Sequence, residues 1–220
     1  MADLTLVIGN KNYSSWSLRP WLFLKHIGVP FKEIRIPLFT PEMAARIAHY
    51  SPAGKVPVLL DGGLTVWESL AICEYLAERF PEVGGWPAER SARAVARAAA
   101  AEMHAGFPDL RAELVMNCRA RRAVTPSPAA QANIERIHAL WRQCRDSYGQ
   151  AGPWLFGTFT IADAMFAPVA LRFLTYGVLL PAVSRAYVDT INADPAIQEW
   201  LQAAHVEREI IPQNERGTPV

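Results

Sequence analysis

A chain of 220 residues, 51% hydrophobic and 20% charged, can bury one large core or two small ones and is neither disordered nor membrane-spanning in composition. Its 22 basic and 21 acidic residues nearly cancel to a formal charge of +1, which gives no electrostatic reason to expect nucleic acid or an anionic membrane as a partner. Three scattered cysteines, Cys73, Cys118 and Cys144, offer no disulfide framework, zinc spacing or C-x-x-C pair; with no secretory leader pattern and no apolar run near the ~18 residues of a membrane span, a reducing, cytoplasmic setting is expected.

Leu4 to Ile8 is a short apolar run closed by Gly9-Asn10 and reads as a buried strand. Tyr13-Ser14-Ser15-Trp16-Ser17 follows, then an apolar helical pattern through Trp21, Leu22, Leu24 and Ile27 that stops at Gly28. Pro20 belongs in a first turn, so this helix is expected to begin near Ser17. Phe31 to Leu38 alternates as a second strand, and Pro41 to His49 suits a short helix. A third strand is expected over Val56 to Leu60, an Asp61-Gly62 turn, a returning strand over Leu64 to Trp67, and a helix opened by Glu68-Ser69 and running to Phe80. The order β-α-β-α-β-β-α implies a mixed four-stranded sheet with helices on its faces over residues 1–82.

Pro81 to Pro87 combines prolines with Gly84-Gly85 and marks a linker, taken as residues 83–92. Beyond it the pattern is helical throughout. Ala88 to Arg122 is rich in Ala, Arg and Glu, and further helices are expected over 129–148, 160–173, 181–191 and 195–206. Residues 93–220 therefore form an all-helical domain, with the polar, proline-bearing stretch Glu207 to Val220 on the surface. The basic run Arg119, Arg121 and Arg122 reads as a solvated helix end.

Four local features carry chemistry or mimic it. Ser14 and Ser15 stand where a strand gives way to a helix, and a helix N-terminus stabilises anions, thiolates included; taken alone, such serines are ordinary caps. Val56-Pro57 opens a strand, where proline is either a plain strand-start residue or part of a special geometry such as a cis peptide. Glu68-Ser69 starts a helix and can cap it or bind a carboxylate there. Thr160-Ile161-Ala162-Asp163 fits a capping box in acidic form, and its role is structural.

The order and spacing of these four features together resemble the cytosolic glutathione transferases, over nearly the whole chain from Leu4 to about Val206. The S-S-x-S-x-R pattern of Ser14, Ser15, Ser17 and Arg19 looks most like the zeta class and its bacterial relatives, and Lys55 to Leu59 and Glu68 to Leu76 are similar to the family's glutathione-site signature. The resemblance implies a thioredoxin-like N-terminal domain, glutathione as co-substrate, a small electrophile as acceptor and a homodimer. By it, Ser14 would hydrogen-bond the glutathione sulfur with Ser15 beside it. Val56, with Pro57 cis, would pair with the cysteinyl backbone, Glu68 and Ser69 would hold the γ-glutamyl end, and Lys55 would meet the glycyl carboxylate. Trp16 departs from the zeta pattern, which has cysteine there, so a maleylacetoacetate isomerase is not implied; Ser51-Pro52 replaces the usual N-P. Trp16, Phe107 and Tyr176 could line an acceptor pocket or pack in the core, and Arg172 could meet an anionic acceptor or be exposed or ion-paired. The alternative is a non-catalytic interaction or regulatory protein on the same fold, which would not need the set Ser14, Lys55, Val56-Pro57 and Glu68-Ser69.

Overall fold

A computed structural model describes residues 4–220. In the first part, β1 (Leu4–Ile8), α1 (Ser15–His26), β2 (Phe31–Arg35), α2 (Met43–Ala48), β3 (Val58–Asp61), β4 (Leu64–Trp67) and α3 (Ser69–Arg79) follow one another in the expected order. The sheet runs β2-β1-β3-β4, with β1 parallel to β2 and antiparallel to β3, and β3 antiparallel to β4. The parallel pair exists because α1 crosses over between its two strands, and the antiparallel pair closes through a tight turn at Gly62 with φ 58°. This is the thioredoxin-like arrangement.

The second part is α4 (Arg90–Ala105), α5 (Pro108–Glu113), α6 (Pro128–Tyr148), α7 (Ile161–Thr175), α8 (Ala182–Ala193) and α9 (Pro195–Val206). Helix α7 is apolar on every side, so it can only sit in the centre; it packs on α1, α4 and α8, and of its residues only Leu174 is not buried. Trp21, Phe23, Trp141, Phe166 and Trp200 lie within this one core, each contributing roughly 1.5–3 kcal/mol through burial. The core therefore runs from the sheet face through α1 into the helices. Gly85 shows how closely the parts meet: a Cβ there would lie 2.5 Å from Ala77 Cβ, and its carbonyl accepts from the Ile161 N–H at 2.9 Å.

Several expectations are corrected. Helix α1 begins at Ser15 with Ser14 as its N-cap, so Pro20 lies inside the helix and removes the donor that would meet the Trp16 carbonyl. The third strand begins at Val58, after Val56 and Pro57 rather than with them. A two-residue pair, β5 (Arg122–Ala123) with β6 (Thr218–Pro219), adds strand to the helical part without joining the main sheet. It forms because the segment after α9 does not simply lie on the surface. Ile211 is buried, and the Glu207 carboxylate accepts from the backbone N–H groups of Lys11 at 2.7 Å and Asn12 at 3.0 Å. Arg119, expected in a solvated helix end, donates to the carbonyls of Glu207 and Glu209 and to the Tyr13 hydroxyl. Polar residues here bind the loop after β1, a use that sequence polarity cannot tell from exposure.

Candidate active site

The loop from β1 delivers Tyr13, Ser14, Ser15 and Trp16 to the N-terminus of α1, where unpaired N–H groups and the helix dipole make the local potential positive. Ser14 and Ser15 are both buried. The hydroxyls of Ser14 and Ser17 lie 2.7 Å apart, and Ser17 Oγ also accepts from the Gly9 N–H at 3.1 Å. In that pair Ser14 Oγ donates and Ser17 Oγ accepts. A hydroxyl rotates about its C–O bond, so the Ser14 proton can turn from Ser17 to an acceptor in the space beside it. Ser15 Oγ accepts from Arg172 Nη2 at 3.1 Å.

Tyr13 is committed elsewhere. Its hydroxyl donates to Glu215 Oε1 at 2.6 Å and accepts from Arg119 Nη2 at 3.1 Å. Burial and the Glu215 carboxylate raise its pKa, so it makes a poor donor for a substrate.

Two adjoining hollows gather the sequence-predicted residues. One of about 290 Å³ is lined by Ser14, Ser15, Lys55 and Val56, with Phe39 and Met43 near α2 and Asn214 after α9. The other, about 370 Å³, is lined by Lys55, Val56, Pro57, Glu68 and His104. Trp16 lines both. The Val56–Pro57 peptide bond is cis. Glu68 holds φ 70° and ψ 128°, a backbone conformation that costs a non-glycine residue on the order of 1–3 kcal/mol and clusters at ligand sites. Ser69 lines neither hollow; it lies just behind Glu68, fully buried, with a hydroxyl that has no hydrogen-bond partner among the described residues. A larger hollow of about 450 Å³ lies beside Lys11, Glu33, Arg35 and Glu209. Its charges pair with one another, Lys11 with Glu33 at 2.9 Å and Arg35 with Glu209 at 2.8 Å, leaving it without the convergent free groups of a ligand site.

The helical part contributes one residue that the sequence reading did not name, His104, and one that it left open, Arg172. His104 stacks edge-on to Trp16, centroids 5.3 Å apart, and its Nε2 lies 3.8 Å from Glu68 Oε2; burial, then Arg19, lowers its pKa. Arg172 is neither exposed nor ion-paired: it is buried and donates to the carbonyls of Leu114 and Arg111 as well as to Ser15. Phe107 and Tyr176 are buried in the core and line neither hollow. Nothing local in the sequence marks His104, or tells that Arg172 meets Ser15, since the helices that carry them reach the site from far along the chain. Among the described residues no His, Cys, Asp and Glu group could hold a metal ion, and no helix is long and apolar enough to cross a membrane.

Residues 13–79 match the model of the glutathione S-transferase N-terminal domain, and residues 121–203 that of the C-terminal domain. The chain belongs to the glutathione transferase family. Among curated relatives of this transferase-family chain, it is 42% identical over 66 residues to a dichloromethane dehalogenase of Methylorubrum extorquens, which is 29% of this chain and 23% of that protein. It is 35% identical over 96 residues to a probable maleylacetoacetate isomerase of Caenorhabditis elegans, 44% of either chain. The matched stretches thus span less than half the length of these relatives. A crystal structure of a glutathione transferase homolog from Burkholderia, with bound glutathione, superposes with a TM-score of 0.72 at 25% identity, covering 93% of this chain and all of that one.

Proposed function

We propose that this chain activates the thiol of glutathione and transfers it to, or uses it to isomerise, a small electrophile. One observation carries the reading: Ser14 at the α1 N-terminus, Val56 with cis Pro57, and Glu68 come from three separate stretches of sequence to one pair of adjoining hollows. A free thiol titrates near ~8.5. At the α1 N-terminus the dipole and the Ser14 proton favour its thiolate, the nucleophile at neutral pH. Ser15 sits beside it. The cysteinyl backbone would pair with Val56 ahead of Pro57, the γ-glutamyl end would take Glu68 and Ser69, and the glycyl carboxylate would meet Lys55. The glutathione-binding domain is residues 1–82, and the helical domain, 93–220, closes the acceptor side. No cysteine competes as the nucleophile: all three are buried, and burial pushes the thiols of Cys118 and Cys144 up to about 12.

A homodimer fits the exposed Leu64 and Trp67 on the edge strand β4, and sedimentation at ~24 kDa at micromolar concentration would count against it. Free thiols fit a cytoplasmic setting. The test of the activity is retention on immobilised glutathione, followed by a screen of electrophiles that includes cis-enediones and aryl halides. Retention with turnover of one class supports the reading; failure to bind glutathione removes it.

A further inference from the structure

Arg19, Arg111 and Arg172 reach one place from α1, α5 and α7, and the balance of charge around them does not close. Trp16 lies against two of them, its ring centroid 4.1 Å from Arg19 Cζ and 4.8 Å from Arg111 Cζ. Arg172 touches Ser15, the residue before Trp16. None of the three has a carboxylate within ion-pair distance among the described residues. Arg111 donates to carbonyls at the end of α4, namely Met103, His104 and Gly106, and Arg172 to carbonyls at the end of α5. Those bonds explain two of the arginines as helix caps, although dipoles offset a buried charge only in part. Arg19 has no such explanation. It is fully buried, and none of its three guanidinium nitrogens has a hydrogen-bond partner among the described residues. Burial depresses its pKa, and Arg111 and Arg172 add to the effect; burial does the same to Arg172, down to about 10.

A buried, uncompensated cation is costly unless an anion arrives. The groups facing this cluster are few, and the two beside Arg172, Tyr176 and Cys118, are buried with pKa values raised by burial, so neither supplies an anion. His104 on α4 is held towards neutrality. Cys73 on α3 is a buried thiol whose pKa is raised, chiefly by desolvation. Glu68, before α3, is half-exposed and faces His104. Lys55 adds a fourth positive charge at the rim. Glu215 faces Tyr13 and is taken up by Tyr13, Asn117 and Arg122. The missing anion therefore has to come from a ligand, and the cluster meets the hollow through Ser15. Because Ser15 Oγ accepts from a guanidinium, its own O–H is a stronger donor than an ordinary serine hydroxyl.

Resting on the function proposed above, we infer that Arg172 is a positioning residue, backed by Arg19 and Arg111, which turns the Ser15 hydroxyl into a second donor to the glutathione thiolate. The site then holds one sulfur between two hydroxyls, Ser14 turning its proton from Ser17 and Ser15 polarised by the arginines. The proton leaves the thiol for solvent on binding, and the two hydroxyls hold the resulting negative charge. No covalent step is added.

The experiment titrates the thiolate absorbance of bound glutathione in the wild type, Arg172→Lys, Arg172→Met, Arg111→Met, Ser15→Ala and the double variant Ser15→Ala/Arg172→Met, with melting temperature and glutathione affinity measured alongside. The wild type is expected to hold the thiol below its free value. Arg172→Met should raise it by about one unit, Arg172→Lys should restore part of the loss, and the double variant should be no worse than Ser15→Ala alone, because Arg172 acts through Ser15. Arg111→Met keeps the Ser15 contact and should shift it less, which guards against a folding loss in Arg172→Met. If Arg172→Met and Arg111→Met melt lower but titrate like the wild type, the arginines are helix caps only and the inference is overturned. If the wild type itself binds no glutathione, it is the activity that fails.

Discussion

Two regions of this molecule bury polar side chains and leave them in opposite states. At α7 the Asp163 carboxylate is fully buried, yet every oxygen is used. Leu155 N–H and the Tyr187 hydroxyl donate to Oδ1 at 3.0 Å each, and the Thr160 N–H and hydroxyl donate to Oδ2 at 2.8 and 3.0 Å. Around α1 and α3 the polar groups are unfinished: among the described residues the buried Arg19 lacks partners on all three nitrogens, the buried Ser69 on its hydroxyl, and half-buried His104, at the end of α4, on Nδ1. A closed network spends its polarity on the fold. An open one in a folded protein needs an external partner, and here the open one borders two hollows.

The largest difference should appear at Asp163. Asp163→Ala leaves two backbone N–H groups and a buried tyrosine hydroxyl unpaired, so about 3–5 kcal/mol of stability is expected to go, lowering Tm by roughly 10 °C in a chain of this size. Calorimetry on glutathione-free protein checks it. The bound-thiol pKa of the surviving folded fraction should not move.

Ser14→Ala is expected to do the reverse. Loss of one donor at the reacting sulfur should lower turnover by ~10²–10³-fold, while Tm changes little because Ser14 makes no side-chain bond to a backbone N–H of α1. Equal loss in Ser14→Ala and in Asp163→Ala enzyme corrected for folded fraction would erase the contrast.

Acidity separates the regions again. Burial pushes Asp163 up to about 6, against ~3.9 in an unfolded chain. The folded state thus binds the proton more tightly, so this group's contribution is fully present below pH ~4 and is lost as pH rises to ~6, by up to about 3 kcal/mol. Denaturant unfolding across that window should show the slope in the wild type and not in Asp163→Asn.

Smaller effects sharpen the picture. Ser69→Ala removes a hydroxyl that nothing in the fold uses, so stability should hold or rise slightly while glutathione affinity falls about tenfold, ~1.4 kcal/mol. Tyr13→Phe should cost about 1–2 kcal/mol of stability through its lost bonds to Glu215 and Arg119, with the rate nearly unchanged; steady-state kinetics beside a melting curve reads both.

Much of this was legible in the sequence because it is local. The β-α-β-α-β-β-α order follows from short apolar runs and turn residues such as Asp61-Gly62, and Val56-Pro57, Glu68-Ser69 and Ser14-Ser15 announce themselves by type and position. The rest depends on distance along the chain. Arg172 meets Ser15 across 157 residues and Glu215 meets Tyr13 across 202, and no window of sequence holds both partners. The segment after Val206 reads as plain surface for a related reason: Glu207 and Arg119 look like solvated charges until the loop they bind is in place. Pro20 sits inside α1 because packing on α7 and α3 outweighs one missing helix bond.

The central claim is that the α1 N-terminus, with Ser14 as its donor, holds glutathione as a thiolate. It is tested most directly by titrating the thiolate absorbance of glutathione bound to the wild type and to Ser14→Ala. The account predicts a wild-type midpoint at least one unit below the free thiol's ~8.5 and a variant whose midpoint returns most of the way to that value while glutathione still binds. A wild-type midpoint at the free value, or a Ser14→Ala midpoint identical to a depressed wild type, would contradict it.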